Sequence, residues 1–253
     1  MRTFLDRQVD GVIVCPDNDS SHAYEELVKA RIPIVVTDRL NEDVDVPAVA
    51  VDHAGGARVA TEHLIEHGRR VFACISGSSE TSTAQARATG GHTPLQTPAS
   101  RSIATRSPSS SSRLRRAGPR REHCWNAAPD IDALFVASDM QAVGALRALA
   151  DSGRRVGQDV SVVSFDGIRL GDYISSSDHD GAAFEAISTA VVGRLLEGGI
   201  EDPQNAYSGM SILPTRLVIR ESCGCPPSDA AAHESTYQAH TFPHTPTTHQ
   251  GAR

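Results

Sequence analysis

Six short apolar runs punctuate the chain: VDGVIVC (9 to 15), IPIVVTD (32 to 38), AVAVD (48 to 52), VFACIS (71 to 76), ALFVAS (133 to 138) and VSVVSFD (160 to 166). None alternates apolar with polar residues, so both faces of each run call for burial, as in parallel strands covered by helices. The stretches between several of them carry helical spacing instead. Ala57, Ala60 and Leu64 share one helix face that ends at Gly68, and Met140, Val143, Leu146 and Leu149 share another that ends at Gly153. A glycine at those points supplies the left-handed residue that closes a helix. Ser138, with Gln141 three residues on, has the form of a capping box at the start of the second helix. Strand, helix, strand, helix predicts a doubly wound α/β fold with parallel sheets.

Two stretches break this grammar. From Thr89 to about His123 the chain runs through Gly, Pro, Ser, Thr and Arg with hardly any apolar periodicity, and this predicts a disordered segment. From Cys223 onward the sequence is Pro- and Thr-rich and carries His233, His240, His244 and His249, which predicts an unstructured tail. The histidine spacing there matches no structural zinc pattern.

At 253 residues the chain has room for one large or two small domains. No apolar run approaches the roughly 18 to 20 residues that span a bilayer, so no membrane partner is expected. The first residues, MRTFLDRQVDGVIVC, lack the parts of an export signal, which points to a cytoplasmic protein. The five cysteines are odd in number and scattered, without a CxxC pair, and this argues against a disulfide framework and a zinc site. Charge is unevenly placed. Residues 81 to 121 hold eight Arg and no acid, which leaves 24 − 8 = 16 basic residues against 31 acidic ones elsewhere, a formal −15. Such a surface is a poor partner for phosphates. The Arg run itself could be read as a nucleic-acid arm, but GC-rich codons read out of frame also yield Arg, Pro and Ser without selection.

Candidate chemistry lies at the carboxyl ends of the strands, where open α/β sheets bind ligands. Those ends carry Asp38 and Arg39, Asp52, Ser76, Ser138 with Asp139, and Asp166. A carboxylate accepts from two neighbouring hydroxyls and an arginine fork donates to two oxygens, a mixture suited to a neutral polyol such as a sugar. Any one of these Asp and Ser residues could equally be a helix N-cap, Asp52 and Ser138 above all. Nothing points to an enzyme: there is no G-x-S-x-G elbow, and His179 between Asp178 and Asp180 is the sole hint of general-base chemistry. No cofactor and no metal ion is expected.

The segment from Ala133 to Gly167, ALFVASDMQAVGALRALADSGRRVGQDVSVVSFDG, resembles the sensor domain of the lactose/galactose-repressor (LacI/GalR) family of bacterial transcription regulators. VDGVIV at 9 to 14, PIVVTDR at 33 to 39, the V-D-x-x-G-G-x-x-x-A-x-x-H-L pattern from Val51 to Leu64, and ILPTRLVIRES at 212 to 222 extend the resemblance over roughly two thirds of the chain. It implies a periplasmic-binding-protein-like fold of two Rossmann-type lobes, three crossovers, a small-molecule effector, most simply a sugar, and a homodimer. It further implies effector contacts from Asp38, Arg39, Arg87 of an R-x-x-G pattern with Gly90, Ser138, Asp139 and Asp166. Ser138 stands where the family usually has Asn, and Gly167 where it has a second Asp. The helix-turn-helix headpiece has no counterpart here, so operator DNA would be bound only through a headpiece missing from this chain.

Two family features reappear once the reading frame is shifted. Out of frame, the codons from Ala88 onward can spell D-G-W-x-H-A, the family helix after R-x-x-G, and those from Ser177 can spell L-T-T-x-x-Q-P, a family crossover. Residues 89 to about 123 and 176 to 183 therefore read as frameshifted translations. The expected organisation is an incomplete N-terminal lobe at 1–88, an aberrant disordered segment at 89–123, a C-terminal lobe with returning crossovers at 124–222, and a disordered tail at 223–253. Two alternatives remain: a periplasmic-type sugar-binding protein, which needs an export signal, and a remnant without function.

Overall fold

The computed structural model describes residues 9–16, 22–38, 46–77, 81–96, 101–106, 130–168, 177–180, 184–199 and 209–225. All six apolar runs are strands. β1 (Val12–Val14), β2 (Ile34–Thr37), β3 (Ala48–Val51) and β9 (Met210–Leu213) lie side by side in that order, all parallel. The second sheet has the order β10, β8, β7, β6, β4, β5. It is formed by β4 (Val71–Ser76), β5 (Arg101–Arg106), β6 (Ala133–Val136), β7 (Ser161–Phe165), β8 (Ser177–Asp180) and an antiparallel edge, β10 (Arg216–Val218).

Helices cover both faces of each sheet, which is why the runs lack polar alternation. On the first sheet, α1 (His22–Lys29) buries Leu27 among Val12, Ile34 and Val36, while α5 (Phe184–Gly199) buries Val191 against Val35 and Val49 on the other face. On the second, α2 (His53–Glu66) packs Ala57, Ala60 and Leu64 against Phe72, Phe135 and Phe165. The opposite face receives α4 (Asp139–Asp151), whose Ala142, Ala145, Ala148 and Leu149 meet Leu134, Val136 and Val162. The buried face of α4 is thus the alanine stripe; Met140 and Val143, predicted to face inward, are exposed. Small alanines let the helix axis approach the sheet, and the larger side chains fall outside the contact.

The chain passes between the sheets three times: after β3 into α2, before α5, and at Pro214–Thr215 between β9 and β10. Gly68 and Gly153 take φ of 85° and 75° beyond the ends of α2 and α4, the left-handed closure that the sequence predicts.

Three expectations about organisation need correction. The first lobe does not extend to residue 88, because β4 hydrogen-bonds to β6 in the second sheet and α2 is already the crossing element. A strand's sequence reveals that it is buried on both faces, but not which sheet buries it. Nor does disorder begin at Thr89. Helix α3 (Ser82–His92) continues through Gly90 and Gly91, a 3₁₀ turn at Thr93–Gln96 buries Leu95, and β5 pairs with β4. The glycines that look like loop residues are packing residues: a Cβ on Gly90 would stand 2.0 Å from the Ala54 carbonyl oxygen of α2. The tail, finally, is ordered to Cys225, since Ser222 and Cys223 are buried in a 3₁₀ turn (Glu221–Cys223) and Ser222 Oγ donates to the Val162 carbonyl at 2.8 Å. Residues 97–100, 107–123 and 226–253 of the expected disordered stretches lie outside the described residues.

Candidate functional site

The carboxyl ends of β2 and β7, one from each sheet, carry Asp38 and Asp166. Both have backbone torsions that side-chain-bearing residues rarely adopt, φ of 68° at Asp38 and 116° at Asp166. Such conformations cost on the order of 1–3 kcal/mol each and persist where surrounding contacts over-determine them. Here the contacts are identifiable. Arg87, from the middle of α3, places Nη1 2.7 Å from Asp166 Oδ1 and donates from the same nitrogen to the Ala137 carbonyl at 2.7 Å. Its guanidinium carbon lies 4.0 Å above the centroid of the Phe165 ring, a cation–π contact with a fully buried residue.

Arg87 also donates from Nε to His53 Nδ1 at 3.2 Å. An accepting Nδ1 places the proton of a neutral imidazole on Nε2. That nitrogen lies 2.9 Å from Asp38 Oδ1, without the alignment of a hydrogen bond. Asp38, His53, Arg87 and Asp166 therefore form a continuous polar chain from the end of β2 to the end of β7, with His53 at the start of the crossing helix. Arg87 Nη2 has no partner among the described residues, so one edge of the fork remains available.

The Asp166 carboxyl is shifted upward from its ordinary range, chiefly by burial. Arg87 opposes the shift by charge and hydrogen bond, while the Asp38 charge adds to it. The backbone N–H of Asp139 also donates to it, so the first turn of α4 helps to hold the ionised form.

The other predicted residues play different parts. Ser138 is the N-cap of α4, accepting from Gln141 N at 3.3 Å, and its hydroxyl lies 3.2 Å from Gln141 Oε1. Asp139 is buried; one oxygen accepts from Ser164 Oγ at 2.6 Å and the other from Ile168 N at 2.7 Å. Asp139 thereby ties β7 to the turn on which Asp166 sits. Asp52 caps α2 through Gly55 N at 2.7 Å, the local role weighed for it. Arg39 lies outside the described residues. His53 and Phe165 escaped sequence reasoning. His53 occupies an unspecified position of the V-D-x-x-G-G pattern, and its one available signal was its place just after the Asp52 cap at a strand's carboxyl end. Phe165 reads as ordinary strand core.

Two open, mainly parallel sheets joined by three crossovers, with a strand-end carboxylate from each and an arginine of α3 between them, define a two-lobed α/β domain. Residues 61–223 match the family described as the periplasmic binding protein-like domain, and the chain belongs to that family. Within it, the chain corresponds to the effector-binding domain of LacI/GalR-type regulators. It is similar to the ribose operon repressor of Halalkalibacterium halodurans, 31% identical over 227 residues, covering 88% of this chain and 65% of that protein. It is also similar to the lactose operon repressor of Escherichia coli K12, 27% identical over 247 residues, covering 92% of this chain and 63% of that one. The chain thus spans somewhat less than two thirds of the length of these curated relatives. Among solved structures, a dimeric Lac repressor with a C-terminal deletion superposes with a TM-score of 0.72 at 27% identity over 87% of this chain and 80% of that one. The transcriptional regulator CelR–cellobiose complex does so with a TM-score of 0.67 at 26% identity over 87% of this chain and 68% of that one. No helix among the described residues is long and apolar enough to cross a membrane.

Proposed function

We propose that the chain senses a small polyhydroxylated effector, a sugar, in the space between its lobes, as the ligand-responsive part of a cytoplasmic, homodimeric transcription regulator. The observation that carries this reading is Arg87. It is held on three sides by Asp166, the Ala137 carbonyl and the Phe165 ring, yet Nη2 has no partner among the described residues. A fixed donor edge beside a carboxylate suits adjacent hydroxyls, one accepting from the guanidinium and the next donating to Asp166. Because Asp38 and His53 continue the chain into the other lobe, an effector touching both ends would favour one lobe arrangement over another. A ligand shifts such an equilibrium by its difference in affinity for the two arrangements.

Operator binding is assigned to a headpiece, not to these lobes, whose acidic balance of −15 outside residues 81–121 disfavours phosphate contact. The curated relatives are operon repressors, and the reading is likewise of a binding protein. Ser138 and Asp139 support the site through the cap of α4 and the bonds to Ser164 and Ile168. A thermal-shift screen with mono- and disaccharides, purine nucleobases as controls, tests the proposal. A rise in melting temperature with a sugar but not with the purines is expected; a purine-only response overturns the substrate class.

A further inference from the structure

At the far end of α2 from His53, a second set of side chains converges. His63 and His67 lie one turn apart on the same helix face, and the segment after the 3₁₀ turn brings Cys225 onto them. One ligand atom from each of the three lies within 4.8 Å of the others, and His63 Nε2 is 3.2 Å from Cys225 Sγ. We propose that His63, His67 and Cys225 form a zinc site, with the fourth position taken by water.

The geometry suits a tetrahedral ion. Zinc binds imidazole nitrogen at about 2.0–2.1 Å and thiolate sulfur at about 2.3 Å, which puts neighbouring N and S ligand atoms about 3.5 Å apart. The observed His63–Cys225 separation is already near that value. His67 also has the support expected of a ligand. His67 Nδ1 lies 2.8 Å from the His63 carbonyl oxygen, and a proton donated there leaves the lone pair on Nε2 for the metal. His63 is buried, which removes it from competition with water.

Cys225 is placed by a rigid turn. Gly224 has φ of 77°, and a Cβ there would stand 2.0 Å from the Gly157 carbonyl oxygen, so a glycine alone fits. Cys225 N in turn donates to Cys223 Sγ at 3.3 Å. The ligand types, two imidazoles and one thiolate, are borderline to soft and favour zinc over magnesium or calcium. Bound metal would clamp the chain after β10 to the helix that crosses between the lobes. The cluster is not legible in the sequence, because the C-x-C and the H-x₃-H lie far apart along the chain.

Cobalt(II) titration of the full chain under reducing conditions at neutral pH tests the site by absorbance. One equivalent should produce intense tetrahedral d–d bands in the visible and a thiolate-to-cobalt band in the near ultraviolet, both bleached by zinc. Cys225→Ser should remove the thiolate band. His67→Gln, a change at a partly exposed residue, with the fold checked by circular dichroism, should weaken cobalt binding by about 100-fold or more. Replacing His233, His240, His244 and His249 together by Gln should change neither. Absence of the thiolate band with the wild-type chain, its persistence in Cys225→Ser, unchanged affinity in His67→Gln, or its loss in the tail variant would each overturn the proposal.

Discussion

Arg87 is marked in the sequence only by the R-x-x-G resemblance, and its surroundings show what holds it. Removing it leaves the half-buried Asp166 carboxylate without its cation and the Ala137 carbonyl without its donor. An unpaired buried polar group costs about 1–3 kcal/mol, which is about tenfold or more in effector affinity. The site should also weaken on acidification, starting at a higher pH than for an ordinary aspartate, because burial raises the Asp166 carboxyl and the protonated acid loses its charge-assisted bond to Arg87. Effector affinity measured across the acidic range checks this; a pH-independent affinity contradicts it. A second residue-scale prediction concerns Cys74, whose thiol is pushed up from 9.0 to about 12 by burial. The folded value lies above the unfolded one, so the contribution to stability is complete below pH 9 and is lost between pH 9 and about 12. Denaturation midpoints should fall over that interval, and less so in Cys74→Ala. At neutral pH Cys74 should resist alkylation that the exposed Cys15 accepts.

At the scale of elements, six of the strands were legible because their apolar runs leave no solvent face, whereas β5 and β8 were not. The caps were legible as well: Ser138 and Asp52 occupy the N-cap positions that short polar side chains favour. Ser138→Ala should lower stability by about 1 kcal/mol in urea unfolding, and the loss should be the same with and without effector if capping is its main role. Helix α3 was not legible. Its burial rests on Ala84, Gly90 and Gly91, and small residues against a neighbouring backbone leave no apolar periodicity. Gly90→Ala tests that packing directly. The added methyl would meet the Ala54 carbonyl, and a destabilisation of about 1–3 kcal/mol is expected. A neutral effect would mean that α3 does not sit against α2.

At the scale of the molecule, the site depends on the topology as much as on its residues. Asp38 and Asp166 come from different sheets, and they meet through His53 and Arg87 because α2 begins at one sheet and packs on the other. That boundary could not be read from the strands, whose sequences look alike in both lobes, and so His53 at the crossing point went unnoticed. The resemblance to LacI/GalR sensors named Asp38, Arg87 and Asp166, which the fold brings into one polar chain, whereas the local roles of Ser138 and Asp139 needed coordinates. The frame-slip reading of residues 89–123 and 176–183 now has to accommodate α3, β5 and β8, elements built in part from those residues. We propose that short paired strands and small-residue helix contacts tolerate the altered sequence there. The central claim is that Arg87 and Asp166 bind a sugar between the lobes, and calorimetry of the whole chain with mono- and disaccharides measures it most directly. The account predicts one sugar bound per chain, with affinity reduced about tenfold or more in Arg87→Ala and in Asp166→Ala. A sugar that binds both variants as tightly as the wild type, or no sugar binding at all, would contradict it.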